Sequence, residues 1–399
     1  MSENKKLREE QKRAKQRKRK RRRIKRIVFL AAEIIIFLML CGAAYVMAKY
    51  DKFQTVTFSK GDIQSNEGVK KEGYMTIALF GGDSRYGHLE KGAHADTIIL
   101  ASIHHDTKEV RLASVYRDTL TEQMSGKVQK ANYAYFAGGP KDAINMLNKN
   151  FDLDIQDYVT VDFKALADVV DLLGGIEVEV TEQEAKEINN YIDETGTVTG
   201  KEVTHLTHGG TLKLDGVQAV TYARIRKNVG GDYKRAERQQ IVISKVVEKA
   251  KTMDIKTINK VINKVFPQIS TSFSLADMIG LAAGALDYKL TETTGFPMES
   301  MNGRVDKVGS VIVPVGLVEN VQELHKFLYP NEEEKEVSET VKSIAEKIET
   351  LTGITREKLD DPNADISKSN HGVAGGCGRR RKKVDIFSKK VYYKGYDIC

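Results

Sequence analysis

Residues 27–48 are apolar throughout except for Glu33, an unbroken run of 22 positions. Wound as a helix at about 1.5 Å per residue, such a run extends about 33 Å, which matches a bilayer hydrocarbon core of roughly 30 Å. Residues 1–26 hold fifteen Lys and Arg against three Glu, while the rest of the chain holds 48 basic and 52 acidic residues. The whole formal charge of +8 therefore belongs to the tail that abuts the apolar run. A basic block beside the first apolar segment places that tail in the cytoplasm and everything beyond residue 50 outside. The expected localisation is a single-pass protein of the cell membrane with a cytoplasmic N-terminus and an extracellular C-terminal domain. A nucleic-acid-binding tail would not need a spanning helix beside it. A cleaved leader would have an apolar region of roughly 7–15 residues. Glu33 lies within two turns of the cytoplasmic end, where it can snorkel or pair with Arg26.

The three cysteines are Cys41, inside the apolar run, and Cys377 and Cys399, near the C-terminus. A large external domain without an internal cysteine does not depend on disulfides, which suits the surface of a Gram-positive type of bacterium. The pattern divides the chain into a cytoplasmic tail (1–26), a spanning helix (27–48), a polar juxtamembrane spacer (49–73) and an α/β domain (74–330). A charged helix (331–359) and a disordered basic tail (360–399) follow. Within the domain, 75–80 and 97–103 read as buried strands, the latter returning through a turn at 105–108 into a third. Strands are also expected at 176–180 and 310–315. Helical spacing marks 140–150, 163–173, 181–194, 216–223, 233–253, 255–265, 275–286 and a stretch ending at Phe327. This alternation predicts an α/β fold with a central mixed β-sheet flanked by helices, an α/β/α sandwich. In 332–358, Val337, Val341, Ile344, Ile348 and Leu351 recur at helical spacing among charges, which reads as a solvated amphipathic helix.

No Walker loop, HExxH, GxSxG, paired CxxC or Rossmann glycine fingerprint is present, so the corresponding nucleotide, zinc-protease and hydrolase classes lose their support. Polar chemistry gathers instead at element ends. If the strands ending before Asp83 and starting at Asp96 pair antiparallel, both carboxylates reach one end of the sheet. Arg117 returns to that same end. Two carboxylates and an arginine at a sheet rim suit Mg²⁺, which takes one or two carboxylates plus substrate phosphates. Farther on, Arg224 and Arg226 are two apart and would share one face of an extended segment. Asp232 follows Gly230-Gly231 as a natural helix N-cap, and Arg235 and Gln239 open the core-facing stripe of the helix that it starts. Buried cations at a helix N-terminus call for an anion.

The blocks GGDSR (81–85), ADTIIL (95–100), SVYRDTL (114–120), KVQKANYAYFAGG (127–139), LDGVQAVTYARIR (214–226) and GDYKRAERQQ (231–240) occur in order. Together they resemble the LytR–CpsA–Psr family of bacterial cell-wall enzymes over about residues 74–255. The resemblance implies a sheet flanked by helices with an apolar cleft for a polyprenyl chain. It also implies transfer of a glycopolymer, of wall teichoic acid or capsular polysaccharide type, from undecaprenyl pyrophosphate to peptidoglycan. Carried over by motif, Asp83 and Asp96 would organise Mg²⁺. Arg117, Arg224, Arg226 and Arg235 would hold phosphate, with Asp232 and Gln239 beside them, and Arg85 and Lys127 would bind substrate. Lys127 and Lys130 stand as alternatives within their block. The Gly-Gly before Asp83, where many relatives carry a bulkier residue, is expected to matter little. Helices 163–173 and 275–286 supply apolar faces for the carrier chain. The expected partners are the polyprenyl pyrophosphate-linked glycan, peptidoglycan and the membrane, with no nucleic acid. Two alternatives are a polyprenyl-pyrophosphate hydrolase and a membrane-bound regulator of transcription, although a 26-residue basic tail without a helix-turn-helix is a poor DNA reader. Protease added to intact, wall-stripped cells should digest the chain beyond residue 50 and leave the N-terminal tail; protection of the whole domain would overturn this topology.

Overall fold

The computed structural model describes residues 42–56, 58, 59, 61–69, 71–82, 89, 92 and 95–356, together with strands Arg381–Lys383 and Tyr392–Lys394. The N-terminal tail, residues 27–41 of the apolar run, Asp83, Arg85 and most of the 360–399 tail lie outside the described residues. Within that tail, expected to be disordered, the two described strands pair antiparallel. Residues 42–50 form a helix, α1, and among the described residues no helix is long and apolar enough to cross a membrane. A separate compact unit begins at Phe53.

That unit opens with β1 (Gln54–Thr55), β2 (Tyr74–Gly82), β3 (Ala95–His104) and β4 (Glu109–Val115), then the small hairpin β5 (Leu120–Glu122) and β6 (Val128–Lys130). Helix α2 (Ala131–Phe151), β7 (Asp157–Asp162), α3 (Phe163–Leu172), β8 (Ile176–Val180), α4 (Glu182–Thr199) and β9 (Gly210–Leu214) follow. Next come α5 (Gly216–Arg224), α6 (Gly231–Ala250), α7 (Ile255–Val265), β10 (Ile269–Thr271) and α8 (Leu275–Ala283). The unit closes with β11 (Lys289–Phe296), β12 (Ser300–Val305), β13 (Gly309–Pro314), α9 (Leu317–Leu328) and α10 (Glu339–Thr352).

Seven strands make a mixed sheet in the order β1-β10-β7-β2-β3-β4-β11. Strands β2, β3 and β4 are antiparallel neighbours, whereas β7 runs parallel to β2 and β11 parallel to β4. The central strands are apolar on both faces, as a sheet covered twice requires. On one face Ala78, Phe80, Leu100 and Ala113 pack beneath α2, α9 and α10, forming the main core. On the other, Ile77, Leu79, Ile99 and Leu112 lie under Ile243 of α6 and Met278 and Leu281 of α8. The α/β/α arrangement is as expected. Gly81 does matter locally: a Cβ there would stand 2.8 Å from Thr97 Cβ and Oγ1 on the neighbouring strand.

Three expectations change. Residues 49–73 do not act as a free spacer beyond Phe53. Strand β1 pairs with β10, Val56, Phe58 and Ile63 pack on the main core, and Asn66 Nδ2 donates to the Lys149 carbonyl at 3.0 Å. Residues 331–359 do not form a solvated helix: Val341, Ile344 and Ile348 of α10 are buried in the same core. Lys347 adds an ion pair to Glu122 Oε2 at 2.5 Å, whose carboxyl also meets Lys149 at 2.8 Å. Burial pushes the Glu122 carboxyl up, but those two lysines outweigh it and hold it below its ordinary value. Helix 140–150 is the second part of a longer one, since α2 begins at Ala131 and breaks at Gly139, whose φ is 73°. Replacing Ile344 by Ala should cost about 2–5 kcal/mol, the usual penalty for emptying a filled core site. Urea unfolding measures it, and a loss near zero would show that α10 is not part of the domain core.

Candidate active site

The site forms where β2, β3 and β4 end together. Gly82 pairs with Ala95, which places Asp96 at that rim, and Arg117 follows β4 by two residues. Arg117 Nη1 and Asp96 Oδ1 are 2.5 Å apart. Asp118, the next residue, meets Lys130 Nζ at 3.0 Å. Burial is the largest influence on Arg117 and lowers it, but Asp96, Asp118 and Asp232 together outweigh burial and hold its pKa above the ordinary value.

The second wall comes from α5 and α6. Arg224 is the last residue of α5, and Ile225 turns the chain out of the helix, so Arg224 and Arg226 do not share an extended segment as expected. Both nevertheless line the same cleft, of about 490 Å³. Arg224 is held by Thr195 Oγ1 at 2.9 Å and Glu194 Oε1 at 3.3 Å, and its guanidinium lies 4.6 Å from the Phe163 ring centre. Gly230 and Gly231 have φ of 90° and 65°, a turn that favours glycine. Gly230, rather than Asp232, is the N-cap of α6. Asp232 sits in the first turn and serves the arginines. Its Oδ1 lies 2.7 Å from Arg235 Nη2, 3.5 Å from Arg226 Nη1 and 3.9 Å from Arg117 Nε. Gln239 lines the cleft one turn beyond Arg235 and reaches the Ala223 carbonyl at 3.4 Å.

Arg235 is 5% exposed. Its burial, aided by Arg117 and Arg226, pulls its pKa down to about 10 against the attraction of Asp232. It still carries its charge at neutral pH. Its Nε, like that of Arg117, has no hydrogen-bond partner among the described residues. A buried guanidinium N–H without an acceptor costs free energy, and the guanidiniums of Arg224, Arg226 and Arg235 that line the cleft suit a multiply charged anion.

Lys127 is not brought into this cluster. It is exposed at the tip of the β5–β6 hairpin, and Lys130 occupies the place expected for it. Sequence reasoning also missed Asp118, Glu194, Phe163 and Arg238. Arg238 is wholly buried and donates to the carbonyls of Ile225 at 2.6 Å and Val229 at 3.1 Å and to Glu184 at 3.0 Å. It thereby clamps both ends of the segment that carries Arg226. Its position three residues after Arg235 is the only hint in the sequence. Among the described residues no group of three or more His, Cys, Asp or Glu is placed to hold a metal. Of the two expected metal carboxylates Asp96 is the one described, and it fits Mg²⁺ in its donor chemistry: one oxygen is on Arg117, and the other has no hydrogen bond among the described residues. A site of one or two carboxylates completed by phosphate oxygens is the usual Mg²⁺ pattern.

A mixed α/β/α sheet with an arginine-lined cleft at one rim defines a protein built to hold a multiply charged anion. The model of the LytR_cpsA_psr family matches residues 42–326, and the chain belongs to that family. It is 31% identical over 241 residues to the polyisoprenyl-teichoic acid–peptidoglycan teichoic acid transferase TagU of Enterococcus faecalis, covering 59% of this chain and 72% of the relative. It is 29% identical over 272 residues to biofilm regulatory protein A of Streptococcus mutans, covering 63% of this chain and 64% of the relative. Among solved structures, a Streptococcus agalactiae protein aligns with a TM-score of 0.56 at 22% identity, covering 69% of this chain and 94% of its own. TagT bound to LI-WTA aligns at 0.53 and 23% identity, covering 69% and 98%. Both share the fold.

Inorganic pyrophosphate should raise the melting temperature. At a hundredfold excess over its dissociation constant the gain is about 2.7 kcal/mol. Arg235→Ala should abolish the gain. An equal gain in that variant, measured by scanning calorimetry, would place the anion elsewhere.

Proposed function

We propose that this protein is a phosphotransferase. It moves a glycopolymer of the wall teichoic acid or capsular polysaccharide type from undecaprenyl pyrophosphate to peptidoglycan at the outer face of the cell membrane. The observation that carries the reading is the cluster of Arg117, Arg226 and Arg235 on one carboxylate, with Arg224, Arg226 and Arg235 lining an open cleft. Family membership and the transferase names of its relatives support it.

The reaction forms a bond from an acceptor hydroxyl oxygen to the phosphorus nearest the glycan. It breaks the bond from that phosphorus to the bridging oxygen, the lipid monophosphate leaves, and the hydroxyl proton passes to that phosphate or to water. Negative charge builds on the bridging and non-bridging oxygens. Arg224, Arg226 and Arg235 line the cleft where these oxygens would lie, already oriented by Glu194, Thr195 and Asp232, so little reorganisation is needed as charge develops. Mg²⁺ held by Asp96, with Asp83 as its proposed second ligand, would neutralise further phosphate charge. Arg117 fixes the Asp96 carboxylate and belongs to the same field.

The carrier's isoprenoid tail needs an apolar path. The sheet face bearing Leu79, Val110 and Val159 is only partly covered by Met278 and Leu281 of α8. Of the two helices expected to cover the tail, α8 fits. Helix α3 spends its apolar face on α5, with Ala167 against Val220, and contributes Phe163 to the cleft.

Replacing Arg224 or Arg226 by Ala should lower transfer about 10²- to 10³-fold, the usual cost of losing a preorganised charge contact. Arg→Lys should rescue poorly, because an ammonium lacks the planar fork. Because both side chains are partly exposed, stability should change by less than about 1 kcal/mol. A falling melting temperature with normal turnover would mean that these arginines serve the fold and not the chemistry.

A further inference from the structure

Helix α8, with the sequence LADMIGLAA, is apolar nearly throughout, yet none of its residues is buried. A helix that is hydrophobic on all sides belongs in a core or in lipid. Met278 and Leu281 meet the sheet, while Ile279 on the opposite face is 51% exposed and Leu286, just past the helix end, is 75% exposed. Helix α7 behaves alike: Val265 is buried at its end, but Ile255 is 85% exposed and Ile258 is 38% exposed. Helices α7 and α8 thus both carry exposed apolar side chains, and their flanking segments are tied together. Lys251, four residues before Ile255, donates to the Tyr288 carbonyl, two residues past Leu286, and β10 joins the other end of α7 to α8. Lys256 and Lys260, one turn apart on α7, flank the apolar positions and are exposed. Asp254 and Asp277 are engaged in capping α7 and α8.

Chain connectivity bears on what would cover this surface. Residue 48, the end of the apolar run, is five residues from Phe53, so at most about 18 Å of extended chain separates them. The Phe53 ring lies 4.0 Å from that of Phe266, immediately after α7, and β1 pairs with β10 between the two helices. Phe53, where the second compact unit begins, therefore lies at the root of this surface.

We propose that the α7–α8 ridge is a membrane-docking surface, resting in the outer leaflet. Ile255, Ile258, Ile279 and Leu286 enter the acyl boundary, and Lys256 and Lys260 lie at the level of anionic phospholipid phosphates. Apolar area and basic charge together are what interfacial helices use. The inference rests on the membrane-anchored reading above. It adds that the domain is held in a fixed pose, with the apolar sheet face beneath α8 close to the bilayer.

The test uses the full chain with Cys41, Cys377 and Cys399 changed to Ser, reconstituted in phosphatidylglycerol-containing vesicles free of polyprenyl lipid. Single Ile279→Cys and Leu286→Cys variants carry an environment-sensitive dye, and Glu346→Cys on α10 is the control. Vesicle flotation of each sample reports the anchor independently. The ridge dyes should be quenched by lipids brominated about 5–10 Å below the headgroups and shielded from iodide, and the Glu346→Cys dye should show the reverse. Floating protein whose ridge dyes respond only to iodide overturns the docking surface and leaves the anchor intact. Protein that fails to float overturns both.

Discussion

One carboxylate holds the site together. Asp232 stands within reach of Arg117, Arg226 and Arg235, which arrive from β4, from the segment after α5 and from α6. Two like charges about 4 Å apart near a protein surface repel by about 4 kcal/mol, so three guanidiniums would not assemble without a counter-charge. Asp96 adds a second negative charge at Arg117, and Asp118 is matched by Lys130, so the three guanidiniums against two carboxylates leave the group net positive. On the proposed reading, that residue of charge is what would draw phosphates into the cleft. The supporting structure serves this balance: the left-handed turn at Gly230-Gly231 starts α6 where Asp232 can reach all three, and the buried Arg238 pins the carbonyls on either side of Arg226.

The sheet was legible because both of its faces are covered. A strand buried on two sides must be apolar at most positions, and 75–80 (all but Thr76) and 97–103 (all but Thr97 and Ser102) are. The lost elements are those whose burial is one-sided or whose partner is distant. Strand β7 alternates Asp, Tyr, Val, Thr, Val, Asp between two parallel and antiparallel neighbours, and β11 is mostly half-buried at the sheet edge. Helix α10 carries charge on most of its surface; its apolar stripe was legible from spacing, but that Val341, Ile344 and Ile348 are buried depends on distant partners in the main core.

The rim residues Asp96 and Arg117 could be placed from strand reversal alone, because an antiparallel pair returns its ends to one place. The segment 224–232 could not. Two arginines two apart suggest an extended strand, but the structure ends a helix at the first and turns before the second. The choice between Lys127 and Lys130 depended on where a three-residue hairpin stops, a distance too short for periodicity to register. Phe163 beneath Arg224 left no trace, since a lone aromatic at a helix start reads as ordinary packing.

Asp152 links the two ends of the domain. Held at φ 49°, it accepts from Asn66 Nδ2 at 2.5 Å and from the Ser338 backbone N–H and hydroxyl, each at 2.6 Å. Asn66 and Ser338 are 272 positions apart. At about 5–20 residues per second of synthesis, roughly 15–55 s pass between the appearance of one and the other. Until α10 has been made, the face of the sheet bearing Phe80 and Leu100 has no complete cover. The native closure of this core therefore comes only late in elongation, and folding is governed by non-local contacts.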